Sequence, residues 1–393
     1  MKKLLPIIIL SLAIGNTASA QKNLLPKFVR KMLFEKDSSK HSSFFLLPVF
    51  SSAPETGVEV GGSGLYSFYT DTVHTDTRVS NVFGYATLTT KGQNRLSLST
   101  SYWTSQNQWH YTGSISYINF PFDFYGIGPD TYKADKDRLG QHRFKLNFEA
   151  DKRITQNLYI GALLGAYDYH FENKNPGGSF DTNPLVQNRN GGGGMLAGVA
   201  LQFDTRNNNT YTTKGIFINT YYYLMGGVNR DNYLYTLPGQ NPPSNNNYRG
   251  GLLNIEITQY NKLSKRFVLG FDMQEQSLTG GQSPFYLLPA LGSDEMMRGY
   301  YNGRYRDRNM VAAQTELRYR LSDRIGVVGF AGTGTVFNKS LSFAQLKPNY
   351  GGGLRYFFDV EKGLSMRMDY GVGQKVPGEG RQSGLYLSLG EAF

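Results

Sequence analysis

The sequence predicts an all-β chain, a single transmembrane antiparallel up-and-down β-barrel of about 16 strands. Three observations carry this reading. The chain opens with an export signal, most of the remainder alternates apolar and polar residues with a period of two, and short turns alternate with long loops.

The first twenty residues combine Lys2 and Lys3, an apolar run from Leu4 to Ile14 and the small residues Ala18-Ser19-Ala20, the pattern of a secretory signal peptide cleaved after Ala20. The apolar run is shorter than the roughly twenty residues that a membrane helix needs, and no later stretch reaches that length. Residues 21–43 form a short periplasmic leader, too small to be a folded domain. It includes the basic and apolar segment Leu24 to Phe34, suited to a membrane surface. Residues 44–393 are then the barrel.

Composition agrees with this division. Gly 46, Tyr 28 and 14% aromatics, in a chain that is hydrophilic on average, suit strands with one lipid-facing side, a polar lumen and aromatic rims. The absence of Cys removes disulfides, thiol catalysis and Cys-ligated metals. The net charge of +11 falls to +9 without Lys2 and Lys3. It is spread over strands and loops, with no continuous basic patch of the kind nucleic acid requires. Outer-membrane lipid and lipopolysaccharide are the expected surroundings.

From Phe44 the alternation is regular. Leu96, Leu98, Thr100 and Tyr102 interleave with Arg95, Ser97, Ser99 and Ser101; Phe144, Leu146 and Phe148 interleave with Arg143, Lys145, Asn147 and Glu149. Val311 to Leu321 and Leu364 to Val372 repeat the pattern, with Gln314, Glu316, Arg318, Arg320, Arg367 and Asp369 on the polar side. Short turns fall at 104–107, 154–157, 263–266, 322–324 and 359–363, and long loops near 120–139, 172–191, 228–247 and 280–308. An even strand count leaves both termini in the periplasm. The last strand, ending at Phe393, sets Leu385, Leu387, Leu389 and Phe393 on one face and resembles the terminal signal by which bacterial outer-membrane barrels are recognised for insertion. Pro48 in the first strand lacks a donor and Gly390 weakens the last, so pairing at their seam is expected to be poor.

Enzyme chemistry finds little support. His41, His74, His110, His142 and His170 are scattered without metal-site spacing, and no Ser-centred elbow or phosphate loop sits in a strand-turn-helix context. No cofactor and no metal are expected. An outer-membrane lipid hydrolase would need an inward or rim Ser and His brought together.

Met297-Arg298-Gly299-Tyr300-Tyr301, in the longest loop, resembles the Arg-Gly-aromatic element of the BamA/TamA superfamily. Asp204, Arg206, Asn207, Lys214 and Gly215 match that family's turn between the eighth and ninth strands, Pro54-Glu55-Thr56-Gly57 its first hairpin, Tyr125-Gly126-Ile127-Gly128 a segment of its third extracellular loop, and Arg367-Met368-Asp369 a late-strand motif. The resemblance covers the whole mature barrel. It implies that the loop folds into the lumen and that acidic wall residues hold Arg298. By alternation Asp369 is the first expected partner and Glu316 the second, with Glu256 and Asp272 further away. Gly299 would permit a tight backbone approach, and Tyr300 or Tyr301 would pack on the wall.

The sequence departs from the family in two places. Phe330-Ala331-Gly332 lacks the acidic residue many members carry there, and the leader cannot hold a POTRA module, as a barrel-only form would not. The resemblance implies a role in or alongside protein insertion, translocation or export at the outer membrane of a gram-negative bacterium, with other assembly proteins as partners. The second reading is a passive pore whose lumenal Arg143, Lys145, Arg318, Arg320 and Arg355 favour anionic solutes.

Overall fold

The computed structural model describes residues 42–53, 57–74, 76–230, 247–281 and 283–393. The signal peptide, the leader up to residue 41, Pro54-Glu55-Thr56 and most of the 228–247 loop lie outside the described residues.

Sixteen long strands form one meander: β1 (Ser43–Ala53), β2 (Gly57–Phe68), β3 (Ser80–Thr89), β4 (Asn94–Trp103), β5 (Trp109–Asn119), β6 (Asp137–Arg153), β7 (Leu158–Asn173), β8 (Gly191–Asp204), β9 (Gly215–Asn229), β10 (Asn247–Lys262), β11 (Phe267–Gly280), β12 (Asn309–Arg320), β13 (Ile325–Phe337), β14 (Lys347–Asp359), β15 (Leu364–Lys375) and β16 (Arg381–Leu389). Each pairs antiparallel with its sequence neighbour, so the sheet has the order of the chain. A short strand, Phe122–Phe124, also pairs with β6. β6 and β7, at 17 and 16 residues, run longer than a bilayer crossing requires and extend into the long-loop end.

The outer face is apolar. Leu96, Leu98, Ile160, Leu164, Met195, Val199, Leu201, Leu224, Leu385 and Leu387 are exposed there, a belt that would be a liability in water and is solvated by hydrocarbon in a membrane.

The lumen is filled unevenly. On the β12 to β15 side it is charged, with Glu316, Arg318, Arg355, Arg367 and Asp369 all buried. On the β6 to β11 side, beneath the long loops, Tyr167, Tyr169, Phe171, Met225, Tyr248, Leu252 and Leu278 pack with Phe124, Phe180 and Phe285 from the loops. Loops thus find an apolar anchor inside the barrel mouth.

At the opposite end the 205–214 turn crosses the opening. Asn209 Nδ2 donates to the Val79 carbonyl at 3.0 Å, the Thr210 hydroxyl bonds the Lys362 carbonyl, and Tyr211 meets Phe357 edge-on at 4.9 Å.

Candidate functional site

The site is built by the long loop between β11 and β12. Its start is anchored by Phe285, fully buried in the aromatic cluster. Ala290–Leu291 then pairs with Tyr305–Arg306, pinching the loop into a neck. Beyond the neck, Met296 N donates to Ser293 Oγ at 2.9 Å and Ser293 N to the Met296 carbonyl at 2.8 Å, closing a tight turn. Met297 and Gly299 take positive φ, 57° and 107°, and between them Arg298 is aimed at the wall. A Cβ on Gly299 would lie 2.8 Å from backbone atoms of Val372, so only Gly fits this approach to β15.

Arg298 is fully buried. Its two terminal nitrogens separate: Nη1 donates to Asp369 Oδ2, and Nη2 donates to Glu316 Oε2 at 2.9 Å. Gly332 carries no carboxylate where one was expected, and two positions earlier on β13 the Phe330 ring lies with its centroid 3.5 Å from the guanidinium carbon. The backbone is held too, as Asn349 Nδ2 donates to the Arg298 carbonyl at 2.9 Å and Gly299 N donates to the Tyr386 hydroxyl at 2.8 Å. Tyr300 is buried and donates to the Pro348 carbonyl at 2.6 Å, whereas Tyr301 is half exposed and packs on Tyr125 at 5.6 Å. Gly128 N, from the Tyr125-Gly126-Ile127-Gly128 segment, donates to the Arg306 carbonyl at 2.8 Å and braces the neck.

Around Arg298 the charges form a network that sequence reading did not assemble. Arg318 Nε meets Glu316 at 2.8 Å, Arg355 meets Asp369 at 2.5 Å and Glu391 at 2.7 Å, and Arg367 joins Asp369 at 3.3 Å to Asp294 of the loop at 2.8 Å. Four guanidiniums, of Arg298, Arg318, Arg355 and Arg367, thus face four carboxylates, of Glu316, Asp369, Glu391 and Asp294. Neutrality is what makes such burial tolerable. Glu256 and Asp272 stand apart from this network; Asp272 accepts from Gln314 Nε2 at 3.1 Å. Glu295, next to Asp294 in the loop, is exposed to the lumen.

The turn residues gather elsewhere. Asp204 is buried between Arg78 and Arg206, with Arg206 Nη2 at 2.8 Å. Asn207 Oδ1 accepts from both Thr213 N and Lys214 N at 3.0 Å. Gly215 has φ of +119°, and a Cβ there would sit 2.4 Å from the Thr205 carbonyl. Arg78 was not legible as a partner, because it lies 126 positions away in the β2–β3 connection.

The Omp85 superfamily domain matches residues 81–393 of this chain. The chain belongs to the Omp85 superfamily, whose members are outer-membrane β-barrels. Solved structures share its fold. BamA from Haemophilus ducreyi lacking POTRA domains 1-3 aligns with 89% of this chain and 70% of its own, at 14% identity and a TM-score of 0.52. CdiB from Escherichia coli aligns with 91% of this chain and 63% of its own, at 9% identity and a TM-score of 0.51. CdiB from Acinetobacter baumannii aligns with 90% and 60%, at 11% identity and a TM-score of 0.52. The chain thus spans less than two thirds of either CdiB. No curated protein matches it in sequence.

In this Omp85 chain two expectations at the seam are corrected. Gly390 does not lie in the last strand: β16 stops at Leu389, and Gly390, with φ of +84°, turns the chain inward. Phe393 therefore leaves the outer face that Leu385 and Leu387 share. It enters the lumen, where its carbonyl accepts from Arg318 Nη2 at 2.7 Å and its ring packs on Tyr260 at 6.0 Å. Pro48 stands opposite Gly62 of β2.

Among the described residues β1 pairs with β2 alone and β16 with β15 alone. At the short-turn side β1 reaches past β16 to β14 and the turn after it: Phe45 stacks on Phe358 at 4.0 Å, and Lys362 Nζ donates to Ser43 Oγ at 2.9 Å. Above that contact a cavity of about 1200 Å³ is lined by consecutive residues of both edges, Leu47 to Val49 and Leu385 to Leu389, and continues inward to Asp272, Glu295 and Arg367.

The structure also brings a Ser and a His together. Ser101 Oγ lies 2.9 Å from His110 Nε2 and Asp151 Oδ2 lies 3.3 Å from His110 Nδ1, but neither Asp151 oxygen has a hydrogen-bond partner, so the carboxylate does not orient the imidazole as a nucleophilic triad requires.

Proposed function

We propose that this Omp85 barrel acts in or alongside protein insertion, translocation or export at the outer membrane of a gram-negative bacterium. In this reading the lumen stays shut, and the working surface is the seam between β1 and β16. The observation that supports it most is the course of the long loop, which carries a fully buried Arg298 across the lumen to the β12 and β15 walls. A passive pore would need a water path past this loop. Two of its five proposed lumenal cations, Arg318 and Arg355, are neutralised by Glu316, Asp369 and Glu391. Edge strands with unpaired backbone groups are natural templates for a further strand. Lipid and lipopolysaccharide surround the apolar belt in this reading, and other assembly proteins supply clients from the periplasm.

The test is complementation. Depletion of the protein in its host is expected to lower the surface abundance of a subset of outer-membrane or exported proteins, and the native chain to restore it. Cysteines placed in pairs on the two edges, one within Leu47–Val49 of β1 and one within Leu385–Leu389 of β16, and bridged by a short bifunctional cross-linker hold the seam shut and are expected to fail in complementation, with function returning when a cleavable linker is reduced. Full restoration by the bridged form would contradict the proposal.

A further inference from the structure

A second chamber, of about 600 Å³, lies in the opposite half of the lumen from Arg298. Its size falls in the range of small-molecule pockets, roughly 300–1000 Å³. One wall is polar, with Ser99, Thr112, Ser114, Lys145, Asn147 and Glu149 contributed by β4, β5 and β6. The facing wall is aromatic and aliphatic, formed by Tyr169, Tyr221, Tyr223, Met225 and Leu252, and Tyr286 to Ala290 of the long loop form the roof.

Lys145 is the cation that lines this chamber, and with Arg143, which stands outside the lining, it differs from the cations of the ionic network. Lys145 and Arg143 follow each other on the inward face of β6, beside Tyr167 and Tyr169 of β7. Among the described residues neither makes an ion pair, and Arg143 Nε is buried without any hydrogen-bond partner. The Lys145 ammonium touches only the Tyr169 ring, 5.6 Å from its centroid. Glu149, the one carboxylate in the lining, is four positions further along the strand, about 14 Å at ~3.4 Å per residue. A half-buried, unpaired Lys145 against a tyrosine wall, with Arg143 next to it on the strand and its Nε buried without a partner, gives this side of the lumen a positive charge that an anion would offset.

We propose that this chamber binds a small amphipathic organic anion. Its acidic head lies against Lys145, with Arg143 next on the same face, and its apolar body lies against Tyr169, Tyr221, Tyr223, Met225 and Leu252. The binding is non-covalent and independent of whether the seam acts on protein clients.

Naphthalene-2-sulfonate tests it, titrated calorimetrically into the whole protein in nanodiscs of zwitterionic lipid, with empty nanodiscs as the blank. Saturable one-to-one binding is expected. The neutral analogue 2-naphthalenemethanol and inorganic sulfate are each expected to bind about tenfold more weakly or worse, the loss of one charge-assisted contact or of the apolar wall. Lys145→Gln, and more so Arg143→Gln with Lys145→Gln, should weaken the sulfonate while leaving heat-modifiable gel migration unchanged; Tyr223→Ala should weaken it through the other wall. Absent saturable binding, equal affinity for the neutral analogue, or equal affinity in the double variant overturns the proposal. Tighter binding of palmitate than of naphthalene-2-sulfonate also overturns it, in favour of a lipid chain. The comparison among ligands on the native chain decides the matter even where a variant fails to fold.

Discussion

Arg298 shows why one residue type suits its place. Its planar fork reaches two carboxylates on β12 and β15 at once, while its face lies on Phe330. A lysine has one point charge and cannot bridge both. Arg298→Ala would leave Glu316 and Asp369 short of a cation in a fully buried setting, a loss of about 3–5 kcal/mol where one partner of a buried pair is removed. We expect this as a lower temperature for loss of the compact gel band, with Arg298→Lys recovering less than half of the shift. Asp369 and Glu316 were legible as inward acids because strand parity alone exposes them. Glu391 was not, since Gly390 breaks the parity one residue earlier. The missing acid was read at Gly332, two positions after Phe330, and the Phe330 ring on the guanidinium was not foreseen, because stacking leaves no mark in the alternation.

At the scale of elements, β-strands and their order were the most legible feature, and turns that cross the lumen the least. Alternation reports the two faces of a strand, but a turn such as 205–214 is held by partners far along the chain, Val79 and Lys362 among them. Gly215 is the hinge of that turn. Gly215→Ala forces a Cβ against the Thr205 carbonyl at positive φ, a strain of about 1–3 kcal/mol. Its expected outcome is faster cleavage at the 205–214 turn by an added protease, with the strand content by circular dichroism unchanged. Equal cleavage rates would mean that the turn relaxes without this glycine. The Gly299 approach to Val372 belongs to the same class, a backbone contact that sequence shows only through the residue type.

For the whole molecule, the sixteen-strand meander, the apolar belt and the short and long ends follow from period-two patterning and loop spacing, and the Omp85 match agrees with them. Of the inner volume, only the inward course of the long loop was expected, through the family resemblance. The turn that crosses the other opening and the final residues that enter the lumen were not legible, nor were the cavities of about 1200 and 600 Å³ that they leave among the described residues. In the proposed function the Arg298 network shuts this interior. The most direct test is single-channel conductance of the protein in planar bilayers, native against Arg298→Ala and Asp369→Ala. A closed lumen predicts small, unsteady native currents that rise in both variants. Large, steady currents indifferent to either substitution would contradict it.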